Sequence, residues 1–422
     1  MLILLDKMLL GFRCCFSRKA AFCWFVIIVV GFIVRFDHQG VTSFIRWLFL
    51  DPQYYDRLLG FFRSSAWSID YLLSHWAMLV VNLYPIIKFS GRLLLIGDGI
   101  KVCKEAKKMP GVKKLHQNSE NSGKGEYIHG HHIGFVGLLV GCLSKAFCLP
   151  MHGQLHEGVE AVRPAEGING KPATIVTRMA RLVVQTAIST QCLCYVALDA
   201  YFSTGPAFLI FKAAVNDMGE QLVHIVTRAK DNYVGFHDRE FSDRKFHEDD
   251  KVKLMDYFEF PEFFETVELT IYGQVKTVEY YCLDLLWKPI NDWVRFVCVR
   301  DGDGCYILMS SDLHLPATEI ITIYSYRSKV EVMFLFLKHL IGGFCYHFWT
   351  SAVPKLKRGE KLDLSTLSKP DLKKVDKTVE AIERFVNLAG IAMALLQYLA
   401  LTQPSAIWDS YQGWLIPRSA GL

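Results

Sequence analysis

Four polar residues stand at helical spacing in the otherwise mostly apolar stretch from Tyr324 to Lys338: Tyr324, Arg327, Glu331 and Lys338. A helix turns by about 100° per residue, so steps of three, four and seven place all four on one stripe. A carboxylate flanked by two cations and a phenol is costly to bury without a purpose. An ordinary Arg327–Glu331 surface pair is the simpler reading, but it leaves the apolar run after Glu331 unexplained. A site for phosphates and a metal ion accounts for both the charges and the burial.

Two further carboxylates sit at sites where chemistry is often placed. Asp98, between Gly97 and Gly99, follows the apolar run Arg92–Ile96, and Asp199 follows the apolar run Cys192–Leu198. Each could be a simple turn or cap residue. Brought together with Glu331, they would repel one another unless a cation lay between them. An all-oxygen donor set favours magnesium or manganese over zinc. Two such ions suffice for phosphodiester chemistry, which depends mainly on positioning and electrostatics.

The pattern Tyr-x2-Arg-x3-Glu-x6-Lys is complete at all four positions and resembles the signature of a large branch of the DDE transposases of bacterial insertion sequences. The resemblance covers roughly residues 90 to 350 by motif. It implies a ribonuclease-H-like catalytic core in which Asp98, Asp199 (in Leu-Asp-Ala-Tyr-Phe) and Glu331 hold Mg2+ or Mn2+. It implies that Tyr324, Arg327 and Lys338 hold phosphates near the cleaved end, and that Arg228 and Lys230 face DNA. An aromatic residue of an inserted β segment, Trp287 or Trp293, would stack on a flipped base, though either could equally pack the small sheet. The implied partners are double-stranded DNA, as element ends and target, and a second copy of the chain in a homodimeric complex. A ribonuclease-H-like nuclease or resolvase and a non-enzymatic membrane-anchored protein are the competing readings.

Other candidates carry less. His129 and His131 would share one strand face with His132 opposite, and no matching cysteine or carboxylate set completes a zinc site. A place beside the active site suits them better. Lys101, Lys104, Lys107, Lys108, Lys113 and Lys114 suit a phosphate backbone or a solvated loop. Arg46, Arg57 and Arg63 could touch DNA or simply face water.

The elements that must position these residues are legible in outline. The chain has 422 residues, enough for two or three domains, with 51% hydrophobic residues and a net charge of +5. That charge neither requires nor excludes nucleic acid. The 12 cysteines form no Cys-x-x-Cys pair, which argues against a structural zinc site and for a reducing cytoplasm. Residues 1–90 read as helical, with the apolar run Ala20–Val34 shorter than a membrane span and better suited to a buried helix. Residues 91–350 read as the α/β core, in the order βββαβαβ followed by the Glu331 helix. Its β-rich insertion spans about 240–318, and residues 100–125 read as a long mobile loop. Residues 351–422 read as a Lys-rich linker, Lys355–Lys377, then a helix Val379–Leu401 and an aromatic ending. The apolar face of that helix, with Ile382, Val386, Ile391, Leu395 and Leu396, is a candidate dimer surface.

Overall fold

The computed structural model describes residues 2–104, 106–117, 125–237, 246, 250–302, 304–354 and 364–410. Five helices lead the chain: α1 (Leu2–Gly11), α2 (Lys19–Val34), α3 (Gly40–Trp47), α4 (Tyr55–Phe62) and α5 (Ile69–Leu83). The central segment runs β1 (Lys88–Phe89), β2 (Arg92–Cys103), β3 (Lys113–His116), β4 (Tyr127–Cys142), β5 (Lys145–Leu155), α6 (Ile175–Thr190), β6 (Cys194–Leu198), α7 (Gly205–Ala213) and β7 (Val223–Arg228). It continues with β8 (Val234–Phe236), β9 (Lys251–Lys253), β10 (Glu265–Ile271), β11 (Gln274–Trp287), β12 (Asp292–Asp301) and β13 (Gly304–Ser310). Helices α8 (Ala317–Ser325), α9 (Lys329–His339), α10 (Lys369–Thr402) and α11 (Pro404–Asp409) close it.

The result is a mixed α/β fold. Among the described residues the strands join one sheet in the order β3-β4-β2-β6-β7-β13-β12-β11-β8-β9, with β5 paired to β4. Strands β2, β6 and β7 run parallel, β4 runs antiparallel beside β2, and β5, antiparallel to β4, returns to the direction of β2. The central strands are buried on both faces, which is why Leu93–Ile96 and Cys194–Leu198 read as continuous apolar runs. A Cβ on Gly97 would meet Met179 and Val183 of α6. On the other face, Phe334 of α9 packs against Phe135 of β4, and a Cβ on Gly137 would meet Met333.

Several expectations need correction. The first core strand does not stop at Ile96 but continues to Cys103, because it pairs with β4 as far as Cys103–Gly130. The stretch from 100 onward is therefore partly sheet, with β3 within it, and residues 105 and 118–124 lie outside the described residues. The expected antiparallel β-rich stretch is present as β10 to β13, and it joins the core sheet because β13 pairs antiparallel with β7. Residues 240–245 at its expected start lie outside the described residues. The supposed single helix Tyr324–Lys338 is two helices, α8 and α9, joined by a 3-10 turn at Tyr326–Ser328. Helix α10 starts at Lys369, not Val379, with Ser368 capping it through the Asp371 N–H. That takes Lys369, Lys373, Lys374 and Lys377 into the helix, while residues 355–363 of the expected linker and 411–414 of the aromatic ending lie outside the described residues.

Helix α10 is the only described helix long and apolar enough to cross a membrane, and 72% of its most apolar window is buried inside the protein. Ile382, Val386, Ile391 and Leu395 are all buried. This corrects the expectation that they form a dimer surface: they are spent on the chain's own core. The leading helices share that core. Phe32 of α2 and Phe62 of α4 pack against Phe385 of α10, with ring centroids 4.9 Å and 5.6 Å away. Arg384, also on α10, donates to the carbonyls of Phe62, Ser64 and Trp67. Helix α2 buries Phe25, Ile28, Val29 and Phe32 along one face, as a core helix does.

Candidate active site

The parallel register Ile96–Ala197 sets Asp98 and Asp199 level on adjacent strands, two residues further along each. Gly97 faces α6, so Asp98 alternates onto the opposite face, where α9 lies. Asp199 ends β6 as the cap of a 3-10 turn, its carboxylate accepting the Tyr201 N–H at 3.0 Å and its carbonyl accepting the Thr227 hydroxyl at 2.8 Å. Asp98 is not the end of its strand. It accepts the Gly99 N–H at 2.7 Å from within β2.

Arg327, in the turn between α8 and α9, closes the group. Its guanidinium lies 4.0 Å from Asp98 and donates twice to one Glu331 oxygen, at 2.8 Å each. The expected Arg327–Glu331 neighbourhood is present although the helix is interrupted, because both residues remain four apart on a nearly helical path. Glu331 is not buried as its sequence context suggested: its side chain is 63% exposed, while those of Asp98 and Arg327 are 23% and 19% exposed.

The electrostatics follow from this crowding. Burial pushes the Asp98 carboxyl up to about 6, and the charges of Asp199 and Glu331 push in the same direction against the Gly99 N–H and Arg327. Burial likewise raises Asp199, opposed by Arg327 and by the N–H groups of Tyr201 and Phe202, with Glu331 again raising it. Each of these carboxylates is thus less willing to be charged than it would be in water. A divalent cation relieves that repulsion, and the donors are all oxygen, so the residues fit magnesium or manganese.

No protein-family model matches this chain, and no curated protein does. The geometry therefore stands by itself.

The remaining sequence candidates divide. Tyr324, at the end of α8, is half-buried and feels the charges of Arg327, Arg228 and Asp199, so it belongs to the same surface. Arg228 ends β7 with its guanidinium 5.7 Å from the Tyr306 ring, and Lys230 is exposed just beyond it. Lys338 is exposed in the last turn of α9, two turns from Glu331. Trp287 is 3% exposed and packs against Phe208 and Tyr233, the packing role that the sequence left open beside base stacking. Trp293 is partly exposed on β12, and nothing in the structure brings it to the carboxylates.

Two aromatic residues next to the site were missed. Tyr306 on β13 and Tyr272 at the β10–β11 turn share an electrostatic neighbourhood with Tyr324, and Arg228 acts on both Tyr306 and Tyr324. Tyr306 is brought there by the β13–β7 pairing, a long-range contact with no local signature. Among the lysines, Lys104 does not face solvent. It is buried, donates to the carbonyls of Phe344 and Tyr346, and is lowered by burial to about 8. Lys101 donates to the His116 carbonyl, and Lys114 lies over the Tyr127 ring. Arg46 is paired with Asp37, and Arg63 donates to the Trp349 carbonyl. His131 is held between the Tyr346 hydroxyl and the Pro110 carbonyl, whereas His132 packs over Gly99 and beside Glu157.

Proposed function

We propose that this chain is a metal-dependent DNA transposase of an insertion sequence, acting through Asp98, Asp199 and Glu331. One observation carries the reading: three carboxylates distant in sequence, two of them level on adjacent parallel strands, converge with Arg327 on one face of the central sheet. The sheet order β5-β4-β2-β6-β7, in which β4 alone runs opposite to the others, supports a ribonuclease-H-like core. The signature residues Tyr324, Arg327, Glu331 and Lys338 support the transposase branch of that fold.

Magnesium or manganese held by the three carboxylates would supply activation of the attacking oxygen and stabilisation of the leaving oxygen. Arg327, 4.0 Å from Asp98 and 2.8 Å from Glu331, balances carboxylate charge and can turn a donor toward a phosphate oxygen. Arg228, Lys230 and Lys338 would neutralise the DNA backbone beside it. Tyr324, Tyr306 and Tyr272 give this surface aromatic faces against which a base can rest.

The test is strand transfer by the full chain on DNA carrying the element's terminal repeats, with magnesium, comparing wild type with Glu331→Gln. Glu331 is exposed, so the substitution should leave the fold intact, as circular dichroism would verify. The variant is expected to bind end DNA and fail to cut or join it. Cleavage at the wild-type rate by Glu331→Gln would overturn the assignment.

A further inference from the structure

A second constellation lies in the leading helices, apart from the carboxylates. The 3-10 turn Phe12–Cys15 carries two adjacent thiols, and His75 reaches it from α5, some sixty residues later in the chain. The potential donor atoms of Cys14, Cys15 and His75 all lie within 4.8 Å of one another. The Cys14 Sγ is 3.8 Å from His75 Nδ1 and 3.7 Å from Nε2.

These separations suit a shared ion. With Zn–S near 2.3 Å and Zn–N near 2.1 Å, a tetrahedral site places its ligand atoms about 3.6 to 3.8 Å apart. The imidazole is also oriented. His75 Nε2 lies 2.8 Å from the Gly11 carbonyl, so an Nε2–H donated there leaves Nδ1 as the free ligand atom, and Cys14 Sγ, almost equidistant from the two ring nitrogens, has to shift to meet its lone pair. A backbone carbonyl holding the far nitrogen is the usual support of a metal-bound histidine. Phe12 packs against the same ring, with centroids 5.9 Å apart, which limits its rotation. Cys14 is exposed, leaving a fourth position to water, while Cys15 is buried.

We propose that Cys14, Cys15 and His75 form a binding site for a soft, thiophilic divalent cation of the zinc class, clipping the turn after α1 to α5. Binding would release a proton from each thiol and place both thiolates and His75 Nδ1 on the ion, with no change of oxidation state. The absence of a Cys-x-x-Cys pair hides such a site from the sequence, because one of its three ligands comes from a distant helix. It is independent of the carboxylates, whose oxygen donors suit harder ions.

The experiment is titration of the reduced full chain with Co2+, followed by displacement with Zn2+. Expected are one equivalent bound with a thiolate-to-cobalt charge-transfer absorption and the visible bands of a tetrahedral ion, the charge-transfer band being abolished by zinc and unaffected by excess magnesium. Cys14→Ser and His75→Ala should each weaken binding by at least roughly tenfold, and Cys23→Ser, another exposed thiol, should not. As a second readout, zinc should slow alkylation of Cys14 but not of Cys23, measured by mass spectrometry on the folded protein. Absence of the charge-transfer band in wild type, or its survival unchanged in Cys14→Ser, would overturn the proposal. So would equal alkylation of Cys14 with and without zinc.

Discussion

At the scale of single residues, Asp98 has the most consequential environment. Its pKa is raised above the unfolded value of 3.8 to about 6, so between these limits the folded chain keeps a proton that the unfolded chain has released. The resulting stabilisation is present at low pH and is lost as pH rises through 6. Without divalent metal at pH 8, Asp98→Asn should therefore stabilise the protein, by about 1–3 kcal/mol in urea unfolding. The same substitution should abolish cleavage. Under the proposed function a metal would need the charged form, so magnesium-dependent cleavage should rise with pH across this region, read from single-turnover rates. Trp287, unlike the partly exposed Trp293, is buried. Trp287→Ala should cost about 3–5 kcal/mol, as expected for a buried aromatic. Its effect on end-DNA affinity should be no larger than the loss of folded protein explains. Tyr306→Phe should leave stability nearly unchanged, and Tyr306→Ala should weaken end-DNA binding in a gel-shift assay.

Among the elements, two packing details hold the fold together. Gly130 pairs β4 to the far end of β2, and a Cβ there would lie 2.0 Å from the Val102 carbonyl oxygen, a backbone atom that cannot step aside. Gly130→Ala should therefore open the β2–β4 ladder and destabilise the fold by about 1–3 kcal/mol or more, measured by chemical denaturation. Arg384 is 3% exposed and serves three carbonyls of the α4–α5 connection while paired with Glu380. Arg384→Ala leaves those acceptors without their donor and Glu380 without its cation. A loss of about 3–5 kcal/mol is expected, with hydrogen exchange rising first in α4 and at the start of α5.

For the whole molecule, buried histidines set the acid limit. Burial holds His131 at about 3, His152 at about 4 and His156 at about 3, all below their ordinary value of 6.5. The unfolded chain binds protons that these folded sites refuse. Their contribution is present above 6.5 and declines as pH falls toward 4 and then 3. Each adds a loss of roughly 1.4 kcal/mol per pH unit within that window. The melting temperature should therefore drop steeply below pH 6, and replacing His152 by Gln should flatten the drop.

What the sequence determined was chemistry at short range. Apolar runs marked Leu93–Ile96 and Cys194–Leu198 as doubly buried strands, and helical spacing kept Arg327 and Glu331 together despite the turn between α8 and α9. Residue type and position marked Asp98, Asp199 and Glu331 before any contact was known. Tertiary structure decided the rest, because strand pairing and helix docking join residues whose separation leaves no periodic trace. Pairing with β4 carried β2 beyond Asp98, and pairing with β7 made the expected insertion an extension of the core sheet and brought Tyr306 to the site. The apolar stripe of α10 is equally suited to a partner subunit or to the chain's own core. Which it covers depends on the leading helices and β5 that pack against it, and no local pattern encodes that choice.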